Sequence, residues 1–150
     1  MLIDFKAAFP SINHDYLFIC LKEVGFPTPA LRVVRRLYQD GHCEVASGGA
    51  HWPGFPMNSG IRQGCPLSPM LFAVVMDILL RAIPRALNTE SHHWAFADDV
   101  GVVMSSAREQ LPALRNLLTR FGSISGMEVN IKKTVVIPLW PDTAEGTESR

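Results

Sequence analysis

Three aspartates stand where an apolar run gives way to a turn. Asp4 ends the run Met1-Leu2-Ile3, and Asp98-Asp99 separates Trp94-Ala95-Phe96 from a second run over 100–104. The two later runs read as a β-hairpin with the acidic pair at its tip. If the strand ending at Asp4 lies beside that hairpin, the carboxylates meet at one edge of a sheet. Like charges brought so close repel one another unless cations sit between them. Oxygen-only ligands select hard cations such as Mg²⁺. Two such ions, roughly 3.5–4 Å apart, can activate a 3′-hydroxyl and stabilise a leaving pyrophosphate. A bare Asp-Asp pair is more often just a polar turn, where aspartate is favoured. The weight therefore falls on what surrounds it.

The elements that must hold these residues follow from apolar spacing. Leu17, Cys20, Leu21 and Val24 recur at helical intervals over 13–24, and Gly25 stops that helix. A second helix has Thr28 as N-cap and Pro29 at its first position, and it buries Leu31, Val34, Leu37 and Tyr38. Arg32, Arg35 and Arg36 lie towards its solvated side. Residues 42–58 predict a short strand over 42–47, a Gly48-Gly49 turn and an irregular return. Ser68-Pro69 opens a strong helix through Met70, Leu71, Val74, Val75, Ile78, Leu79 and Ala82, which Pro84 should end or kink. Ser106 and Glu109 have capping-box spacing for a last helix burying Leu111, Leu114, Leu118 and Phe121, with Pro112 awkward inside it. Gly126 stops that helix, and 135–139 predicts a final strand. This order predicts an α+β fold with helices on one face of an antiparallel sheet.

The 150 residues suffice for one domain with one core, and 47% hydrophobic with 19% charged residues is a globular composition. The formal net charge is zero, unusual for a stand-alone nucleic-acid binder, which normally carries a basic excess. Cys20, Cys43 and Cys65 are widely spaced, so neither a zinc site nor a disulfide framework is indicated, and a reducing compartment fits. The apolar stretch 70–80 is short and holds Asp77, so it does not read as a membrane span. His51 and His92-His93 lack partners at metal-ligand spacing and read as loop residues.

Four stretches, in order, resemble the motifs of reverse transcriptases, particularly those of non-LTR (LINE-type) retrotransposons. They are Leu2-Ile3-Asp4-Phe5-Lys6-Ala7-Ala8-Phe9, Gly60-Ile61-Arg62-Gln63-Gly64-Cys65-Pro66-Leu67-Ser68-Pro69, Phe96-Ala97-Asp98-Asp99, and Gly126-Met127-Glu128-Val129-Asn130-Ile131-Lys132-Lys133-Thr134. The second is highly specific; the Asp-Asp box alone is not. The resemblance covers about residues 1–140. It implies a polymerase palm with a ferredoxin-like (RRM-like) core over 1–140 and a disordered tail over 141–150.

The resemblance also implies roles. Asp4, Asp98 and Asp99 would bind two Mg²⁺ ions, with Mn²⁺ as a substitute, and the backbone carbonyl of Phe5 would complete one coordination shell. Phe9 would be the steric gate that excludes a ribonucleotide's 2′-hydroxyl, although taken alone it reads as a core phenylalanine. Gln63 and Gly64 would sit over the incoming nucleotide, Gly64 permitting close backbone approach. Pro66 and Pro69 would fix the turn into the helix. Lys133 would protonate the pyrophosphate, a role for which Lys132 competes; a positioned acid typically gives about 10²–10⁴-fold in rate. The expected partners are an RNA template, a DNA primer and dNTPs, and the expected location is nuclear or cytoplasmic.

Two features depart from the pattern without touching a proposed ligand. Pro10-Ser11 follows Phe9 where many LINE-type enzymes have an aspartate, and Phe96 replaces the commoner tyrosine. The resemblance further implies a basic fingers region before Asp4 and a thumb after the palm, both largely absent from this sequence, which would account for the neutral charge. Three residues before Asp4 look like a poor anchor. The expectation is a fragment of a retroelement with negligible polymerase activity on its own, and robust Mg²⁺-dependent extension of a DNA primer on an RNA template by the isolated chain would overturn it. The competing readings are an inactive remnant that at most binds nucleic acid or a partner, and another palm-like enzyme such as a nucleotide cyclase, against which the 60–69 motif argues. Group II intron maturases are close relatives not separated at this length.

Overall fold

The computed structural model describes residues 1–87 and 91–139. The expected tail over 141–150 lies outside the described residues. The chain runs β1 (Leu2–Ile3), β2 (Phe5–Lys6), α1 (Ala8–Ser11), α2 (His14–Glu23), α3 (Thr28–Tyr38), β3 (His42–Ser47), β4 (Ala50–Pro56), α4 (Ser68–Leu87), β5 (His92–Phe96), β6 (Asp99–Val103), α5 (Ala107–Ser125) and β7 (Glu128–Val129). All strand pairing is antiparallel, in the order β1-β6-β5, with β2-β7 and β3-β4 as separate two-stranded ribbons. The helices α2, α4 and α5 pack on one another, and α4 also packs against β5. The expected mixed α+β palm is the observed fold.

The core is built from one stripe of each helix and one face of the sheet. Leu17 and Leu21 of α2, Leu71, Val75, Leu79 and Ile83 of α4, and Leu114 of α5 are fully enclosed, together with Ile3, Val100 and Val102 of the sheet. In β6 the valines at 100 and 102 point to the helices, as strand alternation requires. Gly101 between them lies under the Trp94 ring across the strand, where a side chain would collide with it. Among the described residues no helix is long and apolar enough to cross a membrane.

Several details differ from the sequence-based expectations. Helix α2 is capped by Asn13, whose side chain accepts from the Tyr16 N–H at 3.1 Å, but Val24 is exposed beyond its end. Helix α3 begins at Thr28 itself, with Pro27 at the N-cap, and Leu37 is 41% exposed. Val34 and Tyr38, spaced i and i+4, take the buried side, and Leu37 points about 100° away from Tyr38. Pro10 and Ser11 close the short α1, which the apolar spacing did not predict.

Pro84 does not end α4, which runs on to Leu87 because Ile83 and Leu87 are both enclosed in the core. The proline forfeits one backbone bond, and the burial on either side outweighs it. Pro112 is likewise accommodated inside α5, while Met70 and Leu111 are exposed rather than buried. The expected Ser106–Glu109 box is replaced by a different device. Gln110 accepts the Ser106 N–H at 3.3 Å and donates to the Leu87 carbonyl at 2.8 Å, so it caps α5 and ties it to the end of α4. Gly126 ends α5 in the left-handed region at φ 82°, as expected.

The expected last strand over 135–139 shrinks to a single bridge between Val135 and Leu2. Val136, Ile137 and Leu139 are exposed, so their apolar character does not report a core strand. The short β1 is held from both sides. Leu2 exchanges backbone bonds of 2.7 and 2.9 Å with Val135, and Met1 bonds Val102 through both its carbonyl and its amino group. The strand before Asp4 is thus well anchored despite its length.

Candidate active site

Asp4 lies between β1 and β2, where the chain changes partners. Before it, Leu2 and Ile3 pair with Gly101 and Val100; after it, Phe5 and Lys6 pair with Val129 and Glu128. The first register leads towards Asp4 on one strand and Asp99 on the other. Asp4 is half-buried, and its Oδ2 is enclosed without a hydrogen-bond partner. Leaving a polar oxygen in that state costs about 1–3 kcal/mol, and more if it is charged.

The hairpin carries the other two carboxylates. Phe96 pairs with Asp99, so the turn is the two residues Ala97 and Asp98. Ala97 has φ 52°, a conformation that costs an alanine roughly 1–2 kcal/mol. Ala7, three residues beyond Asp4, has φ 42° and ψ 49°. Left-handed alanines therefore flank both acidic positions, and backbone strain of this kind tends to gather at functional sites. Phe96 is 83% exposed, which leaves the aromatic of the Phe-Ala-Asp-Asp box facing solvent.

Phe9, Gln63 and Gly64 line one cleft of about 400 Å³, with Cys65, Pro66, Ser68 and Pro69. Phe9 stacks on the buried Phe72 of α4, with ring centroids 4.2 Å apart and planes 8° from parallel. The 60–69 loop is stitched to the segment that follows Asp4. Gly60 donates to the Ile12 carbonyl and Ile61 to the Phe9 carbonyl, each at 2.7 Å, and His14 Nε2 lies 2.9 Å from the Gly60 carbonyl. Ser68 is buried, and its hydroxyl donates to the Arg62 carbonyl and so closes the loop at the start of α4. Gln63 and Gly64 are held beside Phe9 by this network around the loop.

Lys132 and Lys133 lie exposed on a turn that wraps Asp4. The Asn130 N–H donates to the Asp4 carbonyl at 2.8 Å, and the Asp4 N–H donates to Thr134 Oγ1 at 3.4 Å. The turn closes through Lys133 and Thr134 N–H groups donating to the Asn130 carbonyl at 3.0 and 2.9 Å. Phe5 is buried, edge-on to Phe121 of α5 with centroids 6.2 Å apart.

Strand pairing thus brings β1 beside β6, and the cleft gathers Phe9 with Gln63 and Gly64. It does not draw the carboxylates into one cage: among the described residues, no three His, Cys, Asp or Glu side chains stand close enough to share a metal ion. A larger groove of about 620 Å³ runs between α5 and β7, lined by Leu111, Leu118, Met127 and Ile131 among others. Its walls are mostly apolar, and Asp4, Asp98 and Asp99 are not among them. The sequence assigned no role to Asn130, Thr134 or Phe72, and to Ser68 only the opening of α4, not the closing of the loop. Asn130, Thr134 and Ser68 belong to quoted motifs, and that was their signal; Phe72 looks like any apolar residue of α4.

The reverse transcriptase (RNA-dependent DNA polymerase) family model matches residues 1–143, and the chain belongs to that family. Its relatives are more particular. It is 32% identical over 140 residues to the Retrovirus-related Pol polyprotein from type-2 retrotransposable element R2DM of Drosophila melanogaster, covering 90% of this chain and 13% of that protein. It is 30% identical over 153 residues to the Pol polyprotein from type-1 retrotransposable element R2 of Nasonia vitripennis, covering 96% of this chain and 14% of that one. Telomerase from Candida albicans, solved with a fragment of telomeric RNA, superposes with a TM-score of 0.74 at 15% identity, over 92% of this chain and 26% of that one. Telomerase from Candida tropicalis gives 0.73 at 16%, over 89% and 25%. At that identity the likeness concerns the fold.

Proposed function

We propose that this chain is the catalytic palm of an RNA-directed DNA polymerase of a non-LTR retrotransposon, performing template-directed nucleotidyl transfer by a two-metal-ion mechanism. The observation that carries the reading is the pairing of β1 with β6, which sets the strand ending at Asp4 beside the strand opening on Asp99. The donor set fits hard divalent cations: it consists of oxygens, and Asp4 Oδ2 is buried with no partner among protein atoms. Asp4, Asp98 and Asp99, with the Phe5 carbonyl, would hold two Mg²⁺ ions, or Mn²⁺ in their place. Bound there, the ions would acidify the primer 3′-hydroxyl and offset charge on the phosphates.

The remaining work falls to side chains. The Phe9 ring, held flat against Phe72, bars a 2′-hydroxyl by bulk. Gln63 offers its amide to the sugar and base, and Gly64, at φ 84° with open space where a side chain would project, lets the nucleotide approach the backbone. Lys133 hands a proton to the departing pyrophosphate, with Lys132 as its neighbour on the same turn. The RNA template, DNA primer and dNTPs are the partners this chemistry requires.

The test is primer extension on an RNA template by the longest natural polypeptide that carries this sequence. Phe9→Val should reduce discrimination against ribonucleotides by about tenfold or more while dNTP use changes little, since one methylene-sized difference is worth about 10–200-fold. Unchanged discrimination with dNTP use lost would mean that Phe9 serves packing alone. A second reading, a fold retained without catalysis that at most binds nucleic acid or a partner, draws on the separation of the acidic side chains. Absence of metal-dependent extension in every natural polypeptide containing the palm would favour it.

A further inference from the structure

We propose that Thr134 is a positioning residue for Asp4: its hydroxyl, with the Asn130 amide, fixes the peptide units on either side of Asp4 and so aims the carboxylate. The inference rests on the reading of Asp4 as a metal ligand and deepens it.

Asp4 falls in the gap between two strand pairings, after Ile3↔Val100 and before Phe5↔Val129. A backbone N–H at such a junction is left without a ladder partner, and burying it unpaired is costly. Thr134 Oγ1 supplies the missing acceptor at 3.4 Å, while the Asn130 N–H satisfies the Asp4 carbonyl at 2.8 Å. One short turn thereby holds both sides of the residue. The hydroxyl is itself well placed. Thr134 donates its N–H to the Asn130 carbonyl, and the next residue, Val135, is bonded in both directions to Leu2. A β-branched side chain has little χ1 freedom, so a fixed backbone implies a nearly fixed oxygen.

The consequence reaches the chemistry because the Asp4 carboxylate has one buried oxygen that no protein group engages. Among the described residues the hydrogen bonds that hold Asp4 are those to its backbone, so the turn acts on the carboxylate through the main chain. The turn that holds it also carries Lys132 and Lys133, so the ligand and the cationic side chains are tied to one short backbone segment. Loss of the Thr134 hydroxyl should loosen Asp4 without removing any ligand.

The test titrates the chain with Mn²⁺, followed by electron paramagnetic resonance, in four forms: unaltered, Thr134→Val, Thr134→Ser and Asp4→Asn. Partners that orient metal ligands typically contribute about 10–100-fold to affinity. The expected result is binding weakened about tenfold in Thr134→Val, kept within about twofold in Thr134→Ser, which retains the hydroxyl, and lost in Asp4→Asn. Amide exchange of Asp4 should quicken in the valine variant alone. Unchanged binding in Thr134→Val, with binding lost in Asp4→Asn, would overturn the role of Thr134 and leave Asp4 as ligand. Undiminished binding in Asp4→Asn, or none in the unaltered chain, would remove the ligand reading and this inference with it. The unaltered chain gives a check free of any folding defect: its Asp4 amide should be protected, and rapid exchange there also overturns the proposal.

Discussion

Asp98→Asn is expected to lower RNA-templated primer extension by the complete polymerase about a thousandfold or more, roughly 4 kcal/mol of transition-state stabilisation, with little change in stability. The substitution keeps the shape and removes the charge. Asp98 is a half-buried turn residue whose side chain caps nothing among the described residues, and asparagine suits turns as well as aspartate does. Away from special contacts, such a change alters stability by about 0.5 kcal/mol or less. A purely structural hairpin would therefore tolerate it. A metal ligand would not, because a neutral amide oxygen replaces a carboxylate where cation charge must be balanced. Activity within tenfold of the parent, at normal thermal stability, would return Asp98 to the role of a polar turn residue.

Gly60→Ala should be among the most destabilising single-methyl changes in the chain, and also damage the cleft. Gly60 has φ 90°, and a Cβ there would stand 2.6 Å from the Pro10 carbonyl oxygen and 2.8 Å from the Pro10 Cα. The left-handed backbone costs alanine about 1–2 kcal/mol. The clash is with main chain, which cannot swing aside, and overpacking of this kind adds about 1–3 kcal/mol. The total, about 2–5 kcal/mol, is a large share of the ~5–15 kcal/mol that a domain has to lose. Gly64→Ala is the internal control. Gly64 has φ 84° but open space around the missing Cβ, so it should show the backbone cost without the clash. Urea unfolding of the three proteins measures both; equal losses in the two variants would mean that the Gly60–Pro10 contact is not rigid.

What could be read from the sequence was whatever repeats locally. The buried stripes of α2 and α4 and the two apolar runs of the β5–β6 hairpin recur at the right periods, and each formed where expected. The carboxylates were legible as types in a pattern. What escaped was decided by distant partners. Residues 135–139 look like a strand, yet only Val135 forms a bridge, to Leu2, while Val136, Ile137 and Leu139 stay exposed. Pro84 should stop a helix, but the burial of Ile83 and Leu87 overrides that local preference. Leu37 has the composition of a core residue and the wrong angle. The bond from Asp4 to Thr134 spans 130 positions and joins a backbone to a hydroxyl, so no periodicity announces it. Only the Asn-x-x-Lys-Thr spacing hinted that something there was constrained.

Asp4, Asp98 and Asp99 are proposed to form a divalent-cation site on this chain. The most direct measurement is Mn²⁺-induced broadening of backbone amide signals by NMR. A site there should give broadening centred on residues 4–5 and 97–100, extending to the 130–134 turn, and abolished by Asp98→Asn. Broadening centred elsewhere, at the exposed Glu128 or Asp77 for example, or undiminished in Asp98→Asn, would contradict it.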